Sequence, residues 1–312
     1  MTTRVIVVLV FLIAAHAAAI HAKPRIAVLT PDGSTLSVRY ARALEASLEA
    51  NFRIVDPDLA ASAYASLKVD SPFNQTLESA KSIGTIIGCD HFILVKAETA
   101  RRSSSARSSY FEASAFVFIV NGRRGRLEKF VLEAWQAETA VAAENALAAD
   151  TGSAAAKIAS VLSQTTPQSD IEYEIFDSDS KTMRPAMPYR RIKPEYTNTA
   201  FLYDVKATVD AEVSIDAGGN VKRVDIVRWA GFGLDEAVID AVNKMNWRRG
   251  ERNGKPLAMR VLLRYNFTKI EKDPSASSPD EAIPRLVQIY GIRDQHAGAL
   301  RVLVAAQLLH PQ

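Results

Sequence analysis

The sequence predicts an α+β protein: an N-terminal α/β domain followed by a small C-terminal β-β-α-β module. Three observations carry that reading. Short apolar runs alternate with stretches of helical spacing from about residue 24 to 163. An acidic stretch with prolines then interrupts the pattern. A two-residue periodicity follows on both sides of Ala217-Gly218-Gly219-Asn220 and gives way at once to helical spacing. At roughly 150 residues per domain, a chain of 312 residues suffices for two.

The first 22 residues stand apart. Arg4 precedes an apolar run from Val5 to Ala15, and an Ala-rich stretch ends at Ala19-Ile20-His21-Ala22 before charge returns at Lys23 and Arg25. A basic start, an apolar middle and small residues at the end describe an export signal. Cleavage after Ala19 or after Ala22 fits. So does retention as a membrane anchor, because Val5 to Ala22 is about 18 residues, the lower limit for a span. Either way the body is expected in the periplasm or cell envelope.

The domain expected over 24–163 reads in order as follows. Arg25 to Leu29 is a short strand, closed by Thr30-Pro31-Asp32-Gly33. Ser34 to Ala50 is a helix with Leu36, Tyr40, Leu44 and Leu48 on one face. Phe52 to Val55 is a second strand, and Asp58 is placed to cap a helix through about Leu67. Leu77 to Ile87 is a third helix and Phe92 to Lys96 a third strand, with Arg101 to Ser109 as a polar loop. Tyr110 to Val120 alternates, with Phe111, Ala113, Ala115, Val117 and Ile119 on one face and Phe116 and Phe118 on the other. Asn121-Gly122 signals a hairpin into Leu127 to Trp135, and Ala142 to Leu162 is one closing helix.

Residues 164–187 form the expected linker, with an acidic run from Asp170 to Asp179. The second domain, 188–267, opens with a strand over Val205 to Ile215. Residues tolerant of positive φ turn it into a return strand, Val221 to Val227. A helix follows whose apolar positions are Leu234, Ala237, Val238, Ala241, Val242 and Met245. Trp247 comes next, Asn253-Gly254-Lys255-Pro256 turns, and Met259 to Phe267 is the last strand. A polar linker, 268–278, leads to a helical tail, 279–312.

Composition narrows the function. A formal charge of +3 gives no field for nucleic acid. The single cysteine, Cys89, precludes an intramolecular disulfide and reads as a small buried hydrophobe. No metal-ligand spacing, nucleophile elbow, dinucleotide fingerprint or phosphate loop is present, so neither enzyme chemistry nor a metal or cofactor is expected. Asp90 and His91 adjoin, and neighbours on a strand face opposite ways.

Two resemblances add to this. Residues 24–163 loosely resemble TolB N-terminal and CsgG-like periplasmic α/β domains, on the strand Arg25–Leu29, the helix Leu36–Leu48, Phe52 to Asp56, and Ile83 to Asp90. The second resemblance is closer. Pro194-Glu195-Tyr196, Val213 to Asp216 with Gly219 and Val221, Gly233-Leu234-Asp235 with Ala237 and Ala241, Trp247, and Asn253 to Pro256 with Phe267 resemble the TonB C-terminal domain family in order and spacing. Thr197 stands where that family usually has proline, and Arg248-Arg249-Gly250 stand where Phe and Pro-Ala are common.

That resemblance implies an energy transducer whose last strand, with the segment before Pro194, takes an extended peptide of an outer-membrane transporter by strand addition. The residues expected at the peptide are Arg191 and Lys193 on that segment and Arg260, Leu262, Arg264 and Asn266 on the strand; Arg260 and Arg264 alternate onto its open face, where their other reading is that they keep an edge soluble. If the first segment is retained, ExbB/ExbD-like inner-membrane proteins are implied as further partners. Against that, Leu12 stands one turn before His16, where the family has serine. The alternative is an exported scaffold or assembly protein with no motor.

Overall fold

The computed structural model describes residues 23–104, 107–163, 174–175 and 182–269. The segment 1–22, most of the expected linker 164–187 and the helical tail 279–312 lie outside the described residues.

The N-terminal part runs β1 (Arg25–Leu29), α1 (Thr35–Leu48), β2 (Arg53–Ile54), α2 (Pro57–Ala65), α3 (Leu77–Ile87), β3 (His91–Arg102), β4 (Tyr110–Asn121), β5 (Leu127–Ala137), α4 (Ala140–Ala149) and α5 (Thr151–Leu162). Its sheet has the order β2-β1-β3-β4-β5, parallel across β2, β1 and β3 and antiparallel from β3 to β5. Alternation along β4 divides two cores, as the sequence predicts. Ala113, Ala115, Val117 and Ile119 pack under α1, α4 and α5. Phe116, Phe118 and Val120 join α2 and α3 on the opposite face.

Helix starts follow local chemistry. Ser34, Thr76 and Thr139 each accept an N–H of the first turn, and α3 stops at the left-handed Gly88. Four local expectations are corrected. The cap of α2 is Asp56, not Asp58, because Pro57 takes the first helical position. Arg101 and Arg102 continue β3 instead of opening the loop, paired with Phe111 and Tyr110. The closing helix is two helices, broken at Asp150. The left-handed residue of the β4–β5 turn is Gly125, while Gly122 instead lets α3 approach: a Cβ on Gly84 would lie 2.3 Å from the Gly122 carbonyl oxygen.

The C-terminal part contains β6 (Glu174–Ile175), β7 (Met183–Arg184), β8 (Met187–Pro188), α6 (Asn198–Leu202), β9 (Ala207–Ile215), β10 (Val221–Arg228), α7 (Leu234–Asn243), β11 (Trp247–Arg248), β12 (Gly250–Arg252), β13 (Lys255–Leu257) and β14 (Met259–Phe267). Its main sheet is β10-β9-β14-β6. Val209, Ala211, Val213 and Ile215 of β9 bury against Leu234, Val238 and Val242 of α7. The expected β-β-α-β unit is therefore present, with short strands added to it. Asn253 and Gly254, both at positive φ, make the tight turn between β12 and β13.

The two parts share a core that the sequence does not announce. Trp229, 1% exposed, and Phe232, both from the loop between β10 and α7, enter the aromatic face of the N-terminal sheet. Phe232 lies 4.4 Å from Phe130 and 5.3 Å from Phe116 between ring centroids, and Tyr203 meets Phe116 edge-on at 4.8 Å. Gly231 is required there, since a Cβ would come within 2.9 Å of both Phe118 and Phe130. Without these side chains, β4 and β5 would expose Phe116, Phe118 and Phe130 to water.

Candidate functional site

The candidate site is the outer edge of β14. A sheet edge presents unpaired backbone groups, and only a few devices close it. The strand β14 is aligned with β9 over its full length, from Met259 opposite Ile215 to Phe267 opposite Ala207. On its other side β6 pairs in parallel, Glu174 with Met259 and Ile175 with Arg260. An edge open along all of Met259–Phe267 is thus corrected: the chain closes the first two positions itself. From Val261 to Phe267 no strand among the described residues pairs with that side. The far edge of the sheet is closed at one end too, where Thr76 of the N-terminal part bridges Arg228 and the Trp229 N–H donates to the Gln75 carbonyl.

Side chains along β14 alternate as the pattern requires. Met259, Leu263 and Phe267 are buried beneath α7 and its surroundings, whereas Leu262 is 57% exposed. On the uncovered face the three strands carry a ladder of polar pairs. Arg264 grips Asp210 with two nitrogens, Nε to Oδ1 at 2.7 Å and Nη2 to Oδ2 at 2.9 Å, and Arg228 Nε reaches Oδ2 at 3.2 Å from the other side. Asp210 is consequently only 4% exposed although it lies on the open face. Arg260 Nη1 lies 3.4 Å from Glu212, and the Thr208 hydroxyl donates to Asn266 Oδ1 at 2.9 Å. Arg260, Arg264 and Asn266 are therefore engaged by their own sheet, and Leu262 is left as the apolar contact on that face.

Arg191 and Lys193 are exposed on the segment before Pro194. That segment is fastened by β8 pairing with β11 and by the Tyr189 N–H donating to the Asn246 carbonyl at 2.9 Å. Arg191 also acts electrostatically on Tyr265, whose hydroxyl is buried without a partner. Arg260, Leu262, Arg264 and Asn266 thus lie along the open face of β14 itself, and Arg191 is near enough to Tyr265 to act on it electrostatically.

Sequence reasoning misses Asp235 as more than a helix-start residue. Its Oδ1 accepts the Ala230 N–H and its Oδ2 the Gly231 N–H, both at 2.9 Å, which ties down the loop that carries Trp229 and Phe232. Burial pushes its carboxyl up to about 7, against the pull of those two N–H groups. Thr197, at the proline position, caps α6 and donates to the Phe232 carbonyl at 2.6 Å. The signal for Asp235 was its place two residues after the Trp-Ala-Gly-Phe-Gly run, which has no helical or strand period, whereas Thr197 lies 35 positions before Phe232 and had no local signal.

Solved structures similar to this chain include a hypothetical protein from Chlamydia trachomatis, at 11% identity over 46% of this chain and 100% of that one, with a TM-score of 0.32. A lipoprotein from Neisseria meningitidis is similar at 15% identity over 44% and 99%, with a TM-score of 0.30. A minor lipoprotein from Acinetobacter baumannii is similar at 10% identity over 45% and 93%, with a TM-score of 0.26. No curated protein matches. No helix among the described residues is long and apolar enough to cross a membrane. Residues 192–268 match the family described as Gram-negative bacterial TonB protein C-terminal, and this segment of the chain is a TonB C-terminal domain.

Proposed function

We propose that the C-terminal domain receives an extended peptide of an outer-membrane transporter by strand addition along Val261–Phe267, within energy-coupled transport across the envelope. The observation that carries this is the strand's outer side, which β6 leaves at Arg260 and no other described strand takes up. Main-chain bonds would supply affinity, and the exposed Leu262 with Arg191 and Lys193 would supply selection. On this reading the protein acts in the cell envelope by binding, without catalysis. Single-cysteine capture tests it in the intact chain. Leu262→Cys and Asn266→Cys, each labelled with a thiol-reactive photocrosslinker, should trap the same envelope protein on irradiation. Ala217→Cys, at the hairpin tip remote from the edge, should trap nothing. Equal capture at all three positions contradicts the proposal.

The alternative reading is an exported scaffold with no motor. The shared aromatic core favours it, because Trp229 and Phe232 fasten the TonB C-terminal domain to its neighbour instead of leaving it to swing. The N-terminal residue of the protein from cells separates the readings. A chain beginning at Met1 or Thr2 in the membrane fraction supports the transducer, and one beginning at Lys23 in the soluble periplasm supports the scaffold.

A further inference from the structure

The N-terminal part holds a cavity that the edge of β14 does not use. It lies at the C-terminal end of β1, has a volume of about 650 Å³ and is walled by α1 and α2. The topology places it there. The connection after β1 packs on one face of the sheet and the connection after β2 on the other, so a crevice opens between the two helices. In open α/β sheets such crevices are where ligands bind. The volume falls in the range of small-molecule sites.

Its lining is apolar with a few polar groups. Leu29 and Val38 form one wall, Ala61 and Val69 the other. Glu45 of α1 lines the cavity at 9% exposure, and no described donor reaches its carboxyl. Such a group is costly to leave unpaired, and burial pushes it up to about 7 despite Arg42 one turn away. Tyr64 of α2 lines the same cavity with its ring, while its hydroxyl is sealed from solvent. A nearly buried carboxyl on the wall of a cavity, with no protein donor among the described residues, marks a place where a ligand can supply the missing bond. The other charged residues of the lining, Asp58 and Asp70 against Arg42 and Lys68, balance, so Glu45 sets the preference for a cation over an anion.

We propose that this crevice binds a small molecule carrying a primary amine on an apolar body, with Glu45 taking the ammonium group. The ammonium gives the Glu45 carboxyl a charged partner, and the apolar body fills the space between Leu29, Val38, Ala61 and Val69. A carboxylate ligand would instead meet Glu45 as a like charge, and a neutral alcohol would bring no compensating charge.

The test uses the full chain with three probes of one shape: benzylamine, benzyl alcohol and benzoate. Saturation-transfer NMR and thermal shift should report benzylamine as bound and benzoate as unbound, with benzyl alcohol bound much more weakly than benzylamine. Glu45→Gln, which keeps the shape, should weaken benzylamine by about tenfold or more. Tyr64→Phe, which removes a hydroxyl sealed from the cavity, should leave benzylamine binding unchanged. Unchanged circular dichroism and the melting temperature show that both variants fold. Benzylamine bound equally well by Glu45→Gln, benzoate bound as well as benzylamine, or no binding of benzylamine at millimolar concentration would each overturn the assignment. A Leu262→Cys control keeps its amine binding, which separates this site from the peptide edge.

Discussion

The indole Nε1 of Trp229 donates to the Gly125 carbonyl oxygen at 3.2 Å, so a side chain of the TonB C-terminal domain closes on the β4–β5 turn of the N-terminal part. Around that bond the indole packs on Phe118, with 5.8 Å between ring centroids. Trp229→Ala should cost about 3–5 kcal/mol, the usual range for emptying a buried aromatic site. Urea unfolding followed by circular dichroism should show one transition for the wild type, and a lower midpoint or two separated transitions for the variant. A midpoint that stays in place would show that the shared core contributes nothing.

Asp235 makes stability depend on pH in a direction opposite to that of a salt-bridged aspartate. Burial raises its carboxyl from 3.8 to about 7, so between those values the folded chain holds a proton that the unfolded chain has released. Its contribution is therefore fully present at low pH and declines as pH rises through about 7. Glu45, raised to about 7 as well, acts in the same sense. Each group adds a slope of up to about 1.4 kcal/mol per pH unit in that window. Urea midpoints measured between pH 5 and 8 should fall with pH, and Asp235→Asn should flatten part of the fall. Asp216 works the other way: the Gly218 and Asn220 N–H groups hold it well below the usual carboxylate range, so its contribution is lost only in strong acid.

The strand β6 occupies the ground that a visiting peptide would extend into. Ile175→Pro removes the Ile175 N–H and disfavours helical and paired geometry around it, which should release β6 from Met259 and Arg260. If a peptide adds to Val261–Phe267, the variant should bind it more tightly, by about twofold to tenfold, because two further positions become available. Fluorescence anisotropy with the captured peptide measures this. Weaker binding in the variant would mean that β6 supports the edge instead of competing for it.

Cys89 is buried beside α3, and burial pushes its thiol up to about 11. A protonated, covered thiol is unreactive. A thiol reagent should label native protein far more slowly than protein in denaturant, and the labelling rate should track unfolding. Fast labelling of the native chain would show that the packing between Ile87 and Phe92 opens readily.

Local order was legible in the sequence wherever one face of an element is buried. The period of two along β4 foretold which of its residues enter each core. The spacing Leu234, Val238, Val242 foretold the face of α7, and the pieces from Tyr196 to Phe267 identified the TonB C-terminal domain. The reason is physical: a strand or helix with one dry face repeats its apolar residues at its own period. Tertiary structure alone decided three things. It placed Trp229 and Phe232, whose run has no period, in a core belonging to a different part of the chain. It closed the first two positions of β14 with Glu174 and Ile175 and left the remainder of that strand's outer side without a partner strand among the described residues. It gathered Glu45 and Tyr64, 19 positions apart, at one crevice. Such meetings depend on where separate elements come to rest, and no local periodicity records a contact whose partners lie far apart along the chain.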